Sequence, residues 1–358
     1  MSILLIFLDG VGIGRNDPSS NPFALSESLL SRFTNEADAG LPSQFRKKMS
    51  NDISVMQAIV ESDADKKQPS FRAIFSKYCD CLRSHEREYM QGCGEKKEDS
   101  QKREKKKTES KSETFRAIDA RLGVPGIPQS ATGQASLLTG LNVPKGAGGH
   151  CAGLPGQAVR EILRRESIFL RLSREGLKVS FTNAFTEAFF KRERPRISAT
   201  TESALAAGLR LRTIEDVKAG RALYHDFSNF FLREMEYDLD LYSPKKAGKI
   251  LADMASENDF TLYEYFITDI MGHKGGLKEA SIEVAKIDLF LRSVLAKLDL
   301  QKHLVIVTSD HGNLEDISLK THTLNNVPLL CFGKGSRKFA SAVKDISDIT
   351  PHIINFIS

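Results

Sequence analysis

The chain has 358 residues, 41% of them hydrophobic, and 51 basic against 46 acidic side chains give a net charge of +5. That length can bury a large core, and no apolar stretch approaches the ~20 residues of a membrane span, so one core domain with additions is expected and no membrane role. Five cysteines in no metal-binding spacing point to a reducing cytoplasm.

The first element is the apolar run Ile3-Leu4-Leu5-Ile6-Phe7-Leu8, which ends at Asp9. It lacks a basic start and is short, so it reads as a fully buried strand and not as a signal peptide. Residues 43–116 then read as an insertion. Within it, the run 95–113 holds eight basic and six acidic side chains and no hydrophobic one. Such a run has nothing to bury and is expected to be solvated and mobile. No aromatic residues interleave with its lysines, and its acids dilute the field, so nucleic-acid binding is not expected of it. Cys79-x-Cys81 and Cys93 lack a fourth ligand at a matching spacing.

Pro128-Gln129-Ser130-Ala131-Thr132-Gly133 leads into an Ala/Leu-rich helical stretch closed by Gly140. Ser130 therefore sits near a helix N-terminus, whose free N–H groups suit an incoming phosphate. It is the candidate nucleophile, with Thr132 as the rival; the alternative is that either hydroxyl merely caps the helix. His150, in a Gly-rich loop, is a candidate acid or phosphate contact. Glu161 through Leu172 reads as an amphipathic helix ended by Gly176, and Leu177–Phe181 as another core strand. Residues 184–258 are mixed and helix-rich. There Arg192, Arg194 and Arg196 could grip a second anionic part of a substrate, since guanidinium matches phosphate or carboxylate bidentately; the alternative is an ordinary basic surface loop.

The C-terminal part repeats the opening theme. Tyr263–Thr268 is followed by Asp269 and His273, four apart, and Leu304–Thr308 by Asp310-His311, with His322 eleven residues further on. A helix from Ala285 to Leu298 separates the two strands. An open α/β sheet carries its chemistry at the carboxyl ends of its strands. Asp and His at three such ends are ligand types that divalent metals take. With Asp9 they make too many ligands for one tetrahedral site, and they suit two metals that share a nucleophile or substrate oxygen.

These pieces together resemble the alkaline phosphatase superfamily, and most closely its branch of cofactor-independent phosphoglycerate mutases and phosphopentomutases. The matching segments are Phe7-Leu8-Asp9-Gly10-Val11-Gly12, Ser130-Ala131-Thr132-Gly133, Asp269-x-x-x-His273, Thr308-Ser309-Asp310-His311-Gly312-Asn313-x-Glu315, Thr321-His322-Thr323 running into Val327-Pro328-Leu329, and Asp348 through Ile354. The resemblance covers residues 1–42, 117–183 and 259–358. It implies a doubly wound, mostly parallel α/β sheet flanked by helices, with residues 184–258 as a small cap insertion. It also implies that Asp9, Ser130, Asp310 and His311 hold one metal, that Asp269, His273 and His322 hold the other, and that Ser130 is transiently phosphorylated. There are departures. The mutases' large Arg- and His-rich inserted domain has no counterpart here, the compact phosphopentomutase cap does not align, and Gln134 stands where those mutases have His. No Cys/Ser-x-Pro-x-Arg segment of the sulfatase kind is present.

The expectation is a two-metal phosphoryl-transfer enzyme, phosphomutase-like on a small phosphorylated metabolite, with Mn²⁺ or Zn²⁺ suiting the mixed carboxylate and imidazole set. One alternative is a phosphomonoesterase or phosphodiesterase of the same superfamily. Another is a non-catalytic binding protein whose basic insertion recruits RNA. Nothing in the sequence fixes the oligomeric state.

Overall fold

The computed structural model describes residues 1–25, 29–34, 69–94, 113–193 and 196–357. Six strands form one sheet in the order β2-β8-β7-β1-β6-β3. They are β1 (Ser2–Leu8), β2 (Glu113–Ile118), β3 (Val179–Phe181), β6 (Phe260–Tyr265), β7 (His303–Thr308) and β8 (Val327–Gly333). A separate two-stranded ladder pairs β4 (Ala184–Phe185) with β5 (Arg212–Thr213).

Strands β3, β6, β1 and β7 run parallel, whereas β8 is antiparallel to both of its neighbours. The continuous apolar run of β1 follows from this architecture, because a central parallel strand is covered on both faces. Leu4, Ile6 and Leu8 pack into one hydrophobic cluster, while Ile3, Leu5 and Phe7 pack into the other. On the first face lie the helices Pro244–Ser256 and Leu277–Lys297. The helices Ser130–Thr139, Gln157–Glu166, Ile168–Arg174 and Ile349–Ile357 cover the second. The mostly parallel, helix-flanked sheet expected from the sequence is therefore present.

Several boundaries differ from the sequence reading, each for a packing reason. The expected helix across 161–172 is two helices, broken at Ser167, whose hydroxyl accepts the amide of Leu170 and caps the second. The helix expected from Ala285 starts at Leu277, directly after Gly275-Gly276. The inserted stretch 43–116 contributes the helix Phe71–Ser84, which buries Phe71, Ile74, Phe75, Tyr78 and Leu82 in the first core. Its end, from Glu113, is an edge strand paired with β8. The rest of the charged run lies outside the described residues. Within 184–258, the helix Ala199–Ala206 packs against the second layer, and Pro244–Ser256 lies along Leu277–Lys297 and the sheet. The stretch expected as a cap therefore supplies helices to both layers, because their apolar faces need the core.

Register places the site. Leu8 of β1 lies opposite Tyr265 of β6, and Phe7 opposite Thr308 of β7. Three adjacent parallel strands thus stop at one level. Because β8 is antiparallel, the chain leaving β7 stays at that end until Val327, which keeps His322 there as well.

Candidate metal centre

The residues that follow those three strand ends converge. The Asp9, Asp310 and His311 ligand atoms lie within 4.8 Å of one another, as do those of Asp269, His273 and His322. In the first group, His311 Nε2 is 3.4 Å from Asp9 Oδ1 and 3.4 Å from Asp310 Oδ2. In the second, Asp269 Oδ1 is 3.4 Å from His273 Nε2 and 3.5 Å from His322 Nε2. The two groups touch, since the rings of His311 and His322 stack with centroids 3.7 Å apart. Asp269 and His273 occupy one face of the helix Ile267–Lys274 by their spacing of four.

Ser130 is the first residue of the helix Ser130–Thr139, where helix-start amides have no intrahelical acceptor. Its Oγ lies 2.9 Å from His311 Nε2, so the hydroxyl stands inside the first group. This approach needs a helix of small residues. A Cβ on Gly133 would come within 3.0 Å of the Asp310 carbonyl oxygen. Gly10 has φ +68° and faces Asp269, whose Oδ1 would be 2.7 Å from an added Cβ. Glycine is required there on both counts.

The protein groups alone leave the electrostatics of the site unbalanced. Burial and the carboxylates of Asp310 and Asp269 hold Asp9 well above the usual carboxylate range. Burial, and then Asp269, push Asp310 up to about 7. Burial holds His311 well below the ordinary imidazole value and therefore neutral. Asp269 is opposite in sense. Burial works against its charge, yet His273 and His322 outweigh that and hold it well below its usual value. Asp9 Oδ1 and Asp310 Oδ2 are buried without a hydrogen-bond partner. Such orphans are costly unless a cation meets them. Two carboxylates and an imidazole in one group, and one carboxylate and two imidazoles in the other, are donor sets that fit divalent metal ions.

A supporting layer holds these ligands, and sequence reasoning gave it no roles. Asn313 Nδ2 donates to Asp269 Oδ1 at 2.7 Å, and Thr268 Oγ1 donates to the Asp9 carbonyl at 2.6 Å. Ser309 Oγ accepts the Val11 amide at 2.9 Å and donates to the His311 carbonyl at 3.0 Å. Glu315 accepts the amides of Gly12 and Asn313 at 2.8 and 2.7 Å, and Asn325 Nδ2 at 3.0 Å, tying the loop after β1 to both ends of the loop between β7 and β8. Gln134 Nε2 lies 3.4 Å from Asp9 Oδ2. Glu264, inside a buried strand, accepts the Asn183 side-chain amide at its carbonyl and a hydrogen bond from Thr200 at its carboxyl; burial pushes that carboxyl up to about 8. A charged residue inside an apolar run was the available signal for Glu264.

The other sequence candidates sit elsewhere. The Thr132 hydroxyl donates to the Gln129 carbonyl at 3.4 Å and accepts the Cys151 amide at 3.2 Å, so its bonds go to backbone and not to either ligand group. His150 is half-buried, with Nε2 3.3 Å from the Val124 carbonyl. Arg192 and Arg196 are exposed, and Arg194 lies outside the described residues. His85, His225, His303 and His352 belong to neither group.

Parts of the chain are similar to known proteins. The model of the metalloenzyme superfamily matches residues 236–358. The chain is 28% identical over 130 residues to a 2,3-bisphosphoglycerate-independent phosphoglycerate mutase of Dinoroseobacter shibae, covering 34% of this chain and 26% of that protein. It is 32% identical over 124 residues to the enzyme of the same name from Sulfurimonas denitrificans, covering 32% and 24%. The chain thus spans about a quarter of the length of these curated relatives. Among solved structures, the alkaline phosphatase of the Antarctic bacterium TAB5 aligns over 99% of this chain and 98% of that one, with a TM-score of 0.49 and 12% identity.

Proposed function

We propose that this chain, which carries the metalloenzyme superfamily pattern over residues 236–358, transfers phosphoryl groups through a phosphoserine at Ser130. The observation that carries the reading is the Ser130 hydroxyl, 2.9 Å from His311 Nε2 and set beside two buried carboxylates that each have one oxygen without a hydrogen-bond partner. Asp9, Ser130, Asp310 and His311 would hold one divalent ion and Asp269, His273 and His322 a second. Bound there, the ions supply charge neutralisation and a lowered hydroxyl pKa.

The chain's own residues do the rest. The helix start at Ser130 points amides at an anionic group, and Gly133 lets that helix close on Asp310. The Ser130 oxygen attacks phosphorus, the bond to the leaving oxygen breaks, and that oxygen takes up a proton. In the second half-reaction an acceptor hydroxyl attacks the phosphoserine and releases Ser130. Asn313, Ser309 and Glu315 hold the ligands in place throughout. The substrate is a small phosphorylated metabolite and the reaction phosphomutase-like, supported by the names of the relatives. Arg192, Arg194 and Arg196 would grip the part of the substrate that is not transferred.

Acid-quenching the Mn²⁺- or Zn²⁺-loaded protein with phosphorylated substrates, followed by peptide mass analysis, should place phosphate on the Ser130 peptide. Ser130→Ala should cost about a thousandfold or more in turnover, with metal content measured alongside. Thr132→Ala should cost about tenfold or less. Phosphate on Thr132, or an active Ser130→Ala protein with full metal content, overturns the assignment. Release of inorganic phosphate without transfer to a second hydroxyl would make the enzyme a phosphatase on the same intermediate.

A further inference from the structure

The helix Phe71–Ser84 carries two faces. Its apolar face enters the core, while Arg72, Ser76, Cys79 and Arg83 form a second stripe, spaced four, seven and eleven residues from the first. That stripe looks onto the Gly275-Gly276 turn from which the long helix Leu277–Lys297 starts. Between them lies a cavity of about 670 Å³, within the size range of small-molecule sites. Lys274 and Glu279 complete its wall.

We propose that this cavity is a binding site for a phosphate-bearing anion. Arg72, Arg83 and Lys274 against Glu279 leave three positive charges minus one negative, a net of +2 in a concave space. Arg83 is held at the wall by Glu279 and Asp80, which orients its guanidinium. Arg72, at the first turn of its helix, makes no ion pair among the described residues. Two guanidiniums and an ammonium match a polyanion with several oxygens better than they match a single carboxylate. Burial and the carboxylate of Glu279 push the Cys79 thiol up to about 12, so no thiolate competes for these cations. The +2 wall includes Lys274, the residue after the candidate ligand His273 in sequence, and the cavity's lining comes largely from the inserted helix, with no candidate ligand among the lining residues. It is distinct from both ligand groups, and the inference stands whether or not Ser130 is phosphorylated.

Pyrophosphate is a suitable probe. Calorimetric titration of the metal-loaded full chain should reveal a class of pyrophosphate site that survives Asp310→Asn. In Arg72→Glu the affinity of that class should fall about tenfold or more, and Arg72→Lys should restore it to within a few-fold. Turnover of p-nitrophenyl phosphate by Arg72→Glu should stay at the wild-type value. Lys274→Gln gives an independent variant with the same expected loss. The proposal is overturned if Arg72→Glu, with an unchanged melting temperature, gives the wild-type titration. It also fails if every bound pyrophosphate disappears in Asp310→Asn, or if Arg72→Glu loses binding and turnover together.

Discussion

The two halves of the candidate metal centre each bring three carboxylate or imidazole groups, with opposite charge balance. Asp9, Asp310 and His311 are fully buried and carry two carboxylates per imidazole, so without a cation they repel one another and their carboxyls titrate high. Asp269, His273 and His322 carry two imidazoles per carboxylate, and Asp269 is held low by its own neighbours. The first group depends on an external positive charge, whereas the second largely balances itself. Burial sharpens the contrast, because desolvation penalises an uncompensated charge far more than a paired one.

The largest expected effect follows from breaking each half separately. Asp310→Asn should lose one equivalent of metal and at least about a hundredfold in turnover, as should His273→Ala. Under graded chelation the ion held by His273 should leave first, because its site is less negative and more open. Elemental analysis against dialysis time checks this order. Simultaneous loss of both ions would mean that the halves act as one site.

A medium effect concerns stability against pH in the chelated protein. Glu264 at about 8 and Asp310 at about 7, with Asp9 also raised, keep protons that the unfolded chain releases near pH 4 to 4.5. Their contribution is fully present below about pH 4 and is lost as pH rises toward 7 to 8. Asp269 works the other way, since its depressed value adds stability above about pH 4 that vanishes in acid. Glu264→Gln, which keeps a hydrogen-bonding group for Thr200, should therefore flatten the decline between pH 5 and pH 8 by an amount on the order of a few kcal/mol. Thermal melts at both pH values measure it, and an unchanged slope would show that Glu264 is not held protonated.

The smallest effect is expected at the exposed arginines. Arg192→Ala with Arg196→Ala should raise KM for the phosphorylated metabolite by about three- to tenfold, leaving p-nitrophenyl phosphate turnover unchanged. An equal loss on both substrates would place the pair in folding and not in substrate binding.

The candidate ligand set was legible because it violates local rules. A strand buried on both faces excludes charge, so Asp9 after Leu8 and Asp310-His311 after Thr308 stood out in the sequence without any contact being known. The helix start at Ser130 was legible for a similar reason, from Gly140 and the small residues before it. What supports these ligands was not legible. Asn313, Ser309 and Glu315 are ordinary loop residues until β1, β6 and β7 end at one level and bring the three loops into contact. The same holds for Thr132 against Ser130: two hydroxyls two residues apart look equivalent in sequence, and only the first helical turn aims one at His311 and the other at backbone.

Charge and periodicity along the chain determined the strands that end before Asp9 and Asp310, the candidate ligand types and the candidate nucleophile segment, since these depend on neighbours in sequence and on the cost of burying polar groups. The strand read at Tyr263–Thr268 is Phe260–Tyr265, followed by the helix that carries Asp269. Tertiary structure decided the opposite charge balance of the two candidate ligand groups, whose membership the resemblance had implied. It also decided that the inserted helix Phe71–Ser84 enters the core and sets its cationic stripe beside Lys274. Both depend on which elements meet, and the apolar faces that drive that meeting carry no record of the polar residues they will bring together.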